Sequence, residues 1–336
     1  MISLFNSTSG QKNTGVLGPI GMIPQLFSAL PVKPTSILSQ AKGYLGMRDE
    51  ELKIGIFLDP RMTDNTIEHL VNMFEPTTKK TRVMVHILTE GMTLSDKVSY
   101  DAMVFALSTP DTAGAMISQA SSKEIPCLVM VEQGLRAEAA EVFGLSILDV
   151  ASSRKLDLMV SQTATWFAQN LGGHRMSLAA DFLFMRPALA KETIEATARQ
   201  NLVIATVFFM PGADMPVMTL NQIKMTLQLA FIYGEEFTLK RIVECVGVVF
   251  TAFAWRFAAR MATRALPRVF RIPAKIGIAY ATTIALGKAM ELQLLHAPDM
   301  PALDKPMPTD VREILEKTPL AKVLPKPKTQ KYLPAP

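Results

Sequence analysis

The chain has almost no cysteine. Cys127 and Cys245 are the only two in 336 residues, far apart and each inside an apolar run. That excludes a disulfide framework and a cysteine-based zinc site, and buried free thiols fit a reducing compartment. Histidine is equally sparse. His69, His86, His174 and His296 are scattered, with no second ligand at metal-binding spacing. No Gly-x-Ser-x-Gly nucleophile elbow is present. Charged residues make up only 19% of the chain. The net charge of +5 and the pI near 9.1 are mildly basic, without the concentrated positive footprint of a nucleic-acid binder. The first cation is Lys12, so the amino terminus lacks the basic start of a cleaved secretory signal. These residues lead us to expect no metal, no cofactor, no catalytic residue and no nucleic-acid partner.

What the chain has is apolar surface. Hydrophobic residues reach 49%, the mean hydropathy is +0.22, and there are 21 methionines. This is greasier than an average soluble domain, and methionine suits irregular helix packing. The length leaves room for two domains. From residue 51, short apolar runs recur at 53–58, 81–87, 101–107, 127–131 and 146–150. Runs of this length without alternation suit strands buried on both faces. Helix-compatible stretches at 63–74, 110–122 and 134–143 separate them. The alternation predicts a three-layer α/β domain with a parallel sheet over 51–171. A helix over 156–171 closes it, and Gly172-Gly173 breaks that helix.

Past this point the pattern turns helical. Helices are expected at 176–208 (interrupted at Pro187), 216–233, 238–264 and 273–295. They form an alanine-rich bundle over 174–296, so the fold class is α/β plus all-α. Gly234 fits the position just after a helix end. Asp214 ahead of Pro216, or Thr219 with Gln222 as a capping box, can start the 216–233 helix. Thr238 can cap the next helix, and Glu235-Glu236 favour its start. Residues 1–48 read as a flexible, apolar-spotted leader that could dock on the body. Residues 297–336 read as an extended Pro/Lys-rich tail with a short helix near 309–316.

The α/β part lacks a phosphate loop. Such a loop needs glycines and a Lys-Ser/Thr pair at a strand-to-helix turn. Here the first strand runs into Asp59-Pro-Arg-Met-Thr-Asp-Asn-Thr66, with neither glycine nor lysine. Gly55 is a lone glycine inside a strand. The order of strands over 51–171 still resembles an Era-type GTPase domain that has lost its motifs. Tyr100–Leu107 is similar to the strand after the second switch. Glu124–Gln133 is similar to the strand that normally ends in Asn-Lys-x-Asp, yet Glu132-Gln133-Gly134-Leu135 stands there. Val150-Ala-Ser-Ser153 is similar to the last base-contacting loop. The resemblance implies a pseudo-GTPase. Asp59, Ser108, Thr109 and Asp111 are the residues that would face any ligand left in the crevice.

The helical part carries a more specific motif. Pro211, Gly212 and Asp214 form a turn, followed by Gln222, Lys224 and Met225, then Tyr233 and Gly234. Gly277-x-Ala-Tyr280-Ala-Thr-Thr-Ile-Ala-Leu-Gly287 comes later. Together these resemble the YcjF-like, GTPase-associated family of helical domains. The resemblance covers 174–296. It implies association with a protein partner, a GTPase among the candidates, in a bacterial protein on the cytoplasmic side of the membrane. It implies no activity.

Two physical patterns lie in the same region. Ala254, Ala258 and Ala262 recur every fourth residue, as do Gly277, Ala281, Ala285 and Ala289. Small residues at that spacing let two helices approach closely, so helices 238–264 and 273–295 are expected to pack on each other there. Arg256, Arg260, Arg264, Arg268, Arg271 and Lys275 follow the most apolar stretch. They are candidates for contact with an anionic membrane surface, against a solvated helix face as the plain alternative. The windows 242–259 and 276–294 approach membrane-spanning length, but each carries charge. The leading reading is a non-catalytic interaction or regulatory protein, cytoplasmic or associated with the inner membrane. Its rivals are a nucleotide-binding protein with an unusual phosphate loop and an integral membrane protein with a helical hairpin at 242–294.

Overall fold

The computed structural model describes residues 34–47, 51–207, 214–235 and 268–296, apart from 79, 96, 111, 133–135 and 153–154, with a few more between 241 and 249. Its centre is a five-stranded parallel sheet in the order β2-β1-β3-β4-β5. The strands are β1 (Leu52–Leu58), β2 (Thr81–Ile87), β3 (Ala102–Leu107), β4 (Cys127–Val131) and β5 (Val150–Ser152). Helix α1 (Pro34–Met47) precedes them. Helices α2 (Asp64–Met73), α3 (Gly114–Ser122) and α4 (Arg136–Phe143) connect them. The expected three-layer α/β domain is therefore present. The order is a doubly wound one, with its switch point between β1 and β3.

Period-two alternation divides the strand side chains between two cores. Ile54, Ile56, Val104, Leu128 and Met130 face one side, with Leu70 and Phe74 from α2. Phe57, Met103, Phe105, Val129 and Val131 face the other, with Met116 and Ile117 of α3 and Ala139 of α4. Gly55 belongs to β1 and not to a loop. A Cβ there would meet the Tyr100 ring at 2.8 Å, so the glycine makes room for that ring to edge onto Phe57.

The helical part comprises α5 (Leu156–Asn170), α6 (Arg175–Asp181), α7 (Arg186–Val207), α8 (Met215–Ile232) and α9 (Arg268–His296). The break expected at Pro187 falls earlier, at extended Phe182. Pro187 is the second residue of α7, where a missing N–H costs nothing. Helix α8 starts after Asp214, so Thr219 lies inside it, buried, and forms no capping box. That helix is buried nearly all round, the signature of a central helix.

One apolar core runs from the sheet through α5 into α6, α7, α8 and α9. Phe74 at the end of α2 meets Phe167 of α5 at 5.7 Å between ring centroids, and Phe182 and Phe184 at 5.7 and 5.1 Å. Helix α1 joins the same core. Ile37 and Ala41 are fully buried, and Tyr44 packs on Phe231 of α8. The expected leader 1–48 is thus a docked helix over its last third. The rest of the leader, the 297–336 tail and most of the 238–264 helix lie outside the described residues.

The small-residue contact is also placed differently. Gly277, Ala281, Ala285 and Ala289 are exposed on α9. Helix α9 packs on α7 through the adjoining face, with Ala279, Thr283, Leu286 and Met290 buried. The close approach is at Gly287, where a Cβ would sit 2.6 Å from Cγ1 and 2.8 Å from Cγ2 of Ile194. Ile194 is β-branched and cannot swing away. Among the described residues no helix is long and apolar enough to cross a membrane. That removes α9 as one arm of the hairpin expected at 242–294. Gly287→Val should destabilise the full chain by about 1–3 kcal/mol through overpacking, whereas Ala285→Leu should stay within about 0.5 kcal/mol of the parent. Urea unfolding of both variants checks this. Equal losses would contradict the packing described.

Candidate functional site

In an open α/β sheet, ligands bind beyond the carboxyl ends of the strands at the switch point. Here that crevice is built from the ends of β1, β3 and β4. Asp59 ends β1 and its amide continues the ladder to Ala106 O at 2.8 Å. The residue is 1% exposed. The carboxylate accepts hydrogen bonds from Arg61 N at 2.9 Å, Arg61 Nε at 3.1 Å, Arg61 Nη2 at 2.9 Å, Ser108 N at 3.3 Å and Thr112 Oγ1 at 3.3 Å. Burial pushes the Asp59 carboxyl up. The Arg61 side chain and the Arg61 and Ser108 amides outweigh that and hold it below the usual range.

The second carboxylate ends β4. Glu132 reaches across to the start of α2, the helix that follows β1. Thr63 Oγ1 donates to Glu132 Oε1 at 2.6 Å, Thr66 Oγ1 to the same oxygen at 2.7 Å, and Thr63 N approaches Oε2 at 3.3 Å. Thr63 occupies the N-cap position but makes no side-chain cap bond of its own. The Glu132 carboxylate takes over there, where the helix dipole favours negative charge. Burial raises its carboxyl pKa, but the Thr63 and Thr66 hydroxyls and the Thr63 amide lower it further, to a net depression.

This arrangement accounts for the missing phosphate loop. A helix N-terminus after β1 is where a phosphate would bind. The chain's own Glu132 carboxylate holds that position, and Asp59 lies beside it. Arg61, the nearby cation, is ion-paired to Asp59 at 2.9 Å. Of the four expected crevice residues, Asp59 and Ser108 are brought together and Thr109 follows in the same loop. Asp111 lies outside the described residues. Sequence reading missed Glu132, Arg61, Thr63, Thr66 and Thr112. The usable signal was two threonines three apart on one helix face, opposite an acid at the end of a neighbouring strand.

The helical motif residues are mostly interior. Asp214 is 0% exposed and pairs with Lys275 at 3.4 Å. It precedes α8 but makes no side-chain cap bond, so the expected cap is an ion pair instead. Lys275 is thereby drawn away from the role expected for it at an anionic surface. Gln222 is buried, not on a contact face. Its Nε2 donates to Thr283 Oγ1 at 3.1 Å, Asn201 Nδ2 donates to the same oxygen at 3.0 Å, and Thr283 donates to Ala279 O at 2.8 Å. This polar junction ties α7, α8 and α9 together. Met225 is fully buried and Lys224 is exposed. Tyr233 donates to Glu291 Oε1 at 3.2 Å. Pro211, Gly212, Arg256, Arg260 and Arg264 lie outside the described residues, as do the side chains of Arg268 and Arg271. Among the described residues no cluster of three His, Cys, Asp or Glu side chains could hold a metal ion.

No family model, curated protein or solved structure matches this chain.

The depressed Glu132 pKa has a sign. Its stabilising contribution is complete above the ordinary glutamate value of 4.5 and is lost as pH falls through the lower folded value. Glu132→Gln should therefore be less stable than the parent at neutral pH. The difference should shrink between about pH 6 and about pH 3. Urea midpoints across that range check it, and curves that stay parallel would contradict the role given to Glu132.

Proposed function

We propose that this chain is a non-catalytic interaction or regulatory protein. Its α/β half keeps a doubly wound scaffold but has closed the crevice that other such sheets use for ligands. The observation that carries this reading is Glu132. Its carboxylate occupies the anion position at the start of α2, bonded to two hydroxyls and an amide. A nucleotide phosphate brought there would meet two carboxylates. Arg61, a cation facing them, is already paired with Asp59.

The YcjF-like and pseudo-GTPase resemblances suggest what the protein acts with. A GTPase partner fits them, as does attachment to the cytoplasmic face of the inner membrane. Arg256, Arg260, Arg264, Arg268 and Arg271 remain the candidates for contact with anionic lipid. Lys224 and Tyr280 are motif residues exposed enough to reach a protein partner.

Titration calorimetry of the full chain with GTP and magnesium tests the non-catalytic reading. No saturable heat is expected at micromolar nucleotide. A sub-micromolar dissociation constant would overturn the proposal in favour of an active nucleotide-binding protein.

A further inference from the structure

A second cavity lies at the opposite end of the sheet. The loop from α2 into β2 meets the start of α7 and the end of α8 there, and they enclose about 470 Å³. Small-molecule sites commonly fall in the range of about 300–1,000 Å³. The cavity contains Tyr233 and Gly234, the end of the motif that the crevice does not use.

Arg186 is its most unusual residue. The guanidinium is half-buried at the first position of α7. Nη2 donates to Ala180 O at 2.9 Å and Nε approaches Ala179 O at 3.3 Å. These bonds fix the plane of the group. Among the described residues Nη1 has no hydrogen bond and no carboxylate lies at ion-pair distance from Arg186, although Asp181 and Glu235 act on it through space. Those two acids direct their hydrogen bonds to other residues. Asp181 accepts from Thr78 Oγ1 at 2.7 Å and from Thr81 Oγ1, and Glu235 pairs with Arg241. Buried charges are normally paired, because desolvating a lone one is costly. A held arginine with one free edge inside a cavity is the arrangement that recognises a carboxylate or phosphate.

The surroundings preserve that edge and narrow the ligand. Gly234 has a left-handed φ of +79°, and a Cβ on it would come within 3.0 Å of Arg186 Nη2. Glycine at this position therefore serves both the turn and the guanidinium. Lys80 adds a second cation, Asp181 one negative charge, and Met47 and Tyr233 apolar surface. Among the described residues the lining carries two cations and one carboxylate, a net single positive charge, which matches a singly charged anion better than a phosphate ester.

We propose that this cavity binds a small organic monocarboxylate, with its carboxylate on Arg186 and its carbon body against Met47 and Tyr233. The proposal does not depend on the closed crevice, since the two sites lie at opposite ends of the strands.

Calorimetric titration of the full chain with benzoate tests it, with benzyl alcohol and inorganic phosphate as parallel probes. Saturable benzoate binding is expected, with none for benzyl alcohol and weaker binding of phosphate. Arg186→Gln should weaken benzoate by at least about tenfold, since a charge-assisted bidentate pair is lost. Circular dichroism checks that the variant is folded. Photolabelling of the wild-type protein with 4-azidobenzoate keeps the test independent of that variant. The label should fall on peptides covering 177–186 or 228–235 and be competed away by benzoate. No saturable benzoate heat, tighter binding of phosphate, or a competed label elsewhere in the chain would each overturn the proposal.

Discussion

Phe74 holds the two halves of this molecule together. It ends the first helix of the α/β part, and its ring is surrounded by Phe167, Phe182 and Phe184. Trp166 packs edge-on against Phe167 in the same group. Aromatic clusters of this kind gain from buried area and from edge-to-face geometry together. Removing one such ring from a core typically costs about 3–5 kcal/mol, a large share of a domain's whole stability. Because the cluster draws on α2, α5 and the turn before α7, the sheet and the helices cannot be separated without opening it. Helix α1 adds to the same core from the other side, through Ile37, Ala41 and Tyr44. The break at Gly172-Gly173 is a change of pattern along the chain and not a boundary in space.

That shared core shapes both candidate sites. At the strand ends, carboxylates withdrawn from water must be bonded or neutralised. Asp59 and Glu132 accept from neighbouring amides, hydroxyls and Arg61. The same rule governs the helical interior, where Asn201, Gln222 and Thr283 bond to one another and Asp214 pairs with Lys275. Arg186 stands apart from these groups, because it lines a cavity and, among the described residues, is held by backbone carbonyls and not by an ion pair.

β1, β3 and β4 were legible because each is a short apolar run buried in a doubly covered sheet, whereas β2, at the sheet edge, was not buried on both faces as expected and leaves Val85 and Ile87 exposed. β5 was read four residues early, since the apolar side chains of Ile147 and Leu148 belong to a tight turn capped by Ser146 and are exposed. Helix positions were legible from breakers, except where packing decided. Phe182 breaks the chain before Pro187 because its ring is needed in the Phe74 cluster. The alanine stripe on α9 is periodic yet exposed, and spacing alone could not distinguish it from the face carrying Gly287. The crevice was half legible. A missing motif can be seen in sequence, but a carboxylate that crosses from β4 to the start of α2 depends on a strand order that local patterns do not encode. The Arg186 cavity joins residues from the α2–β2 loop, α7 and the end of α8, and no local signal links them.

The central claim is that sheet and helices form one cooperative body. The chain has two tryptophans. Trp166 lies at the junction, 4% exposed, with its indole N–H bonded to Asp149 Oδ1 at 2.8 Å. In a Trp255→Phe variant, Trp166 fluorescence reports on the junction while far-ultraviolet circular dichroism reports on the helices as a whole. A urea titration followed by both signals should give one coincident transition with a single midpoint. Two resolved steps, with the helical signal surviving the loss of the Trp166 signal, would contradict the account.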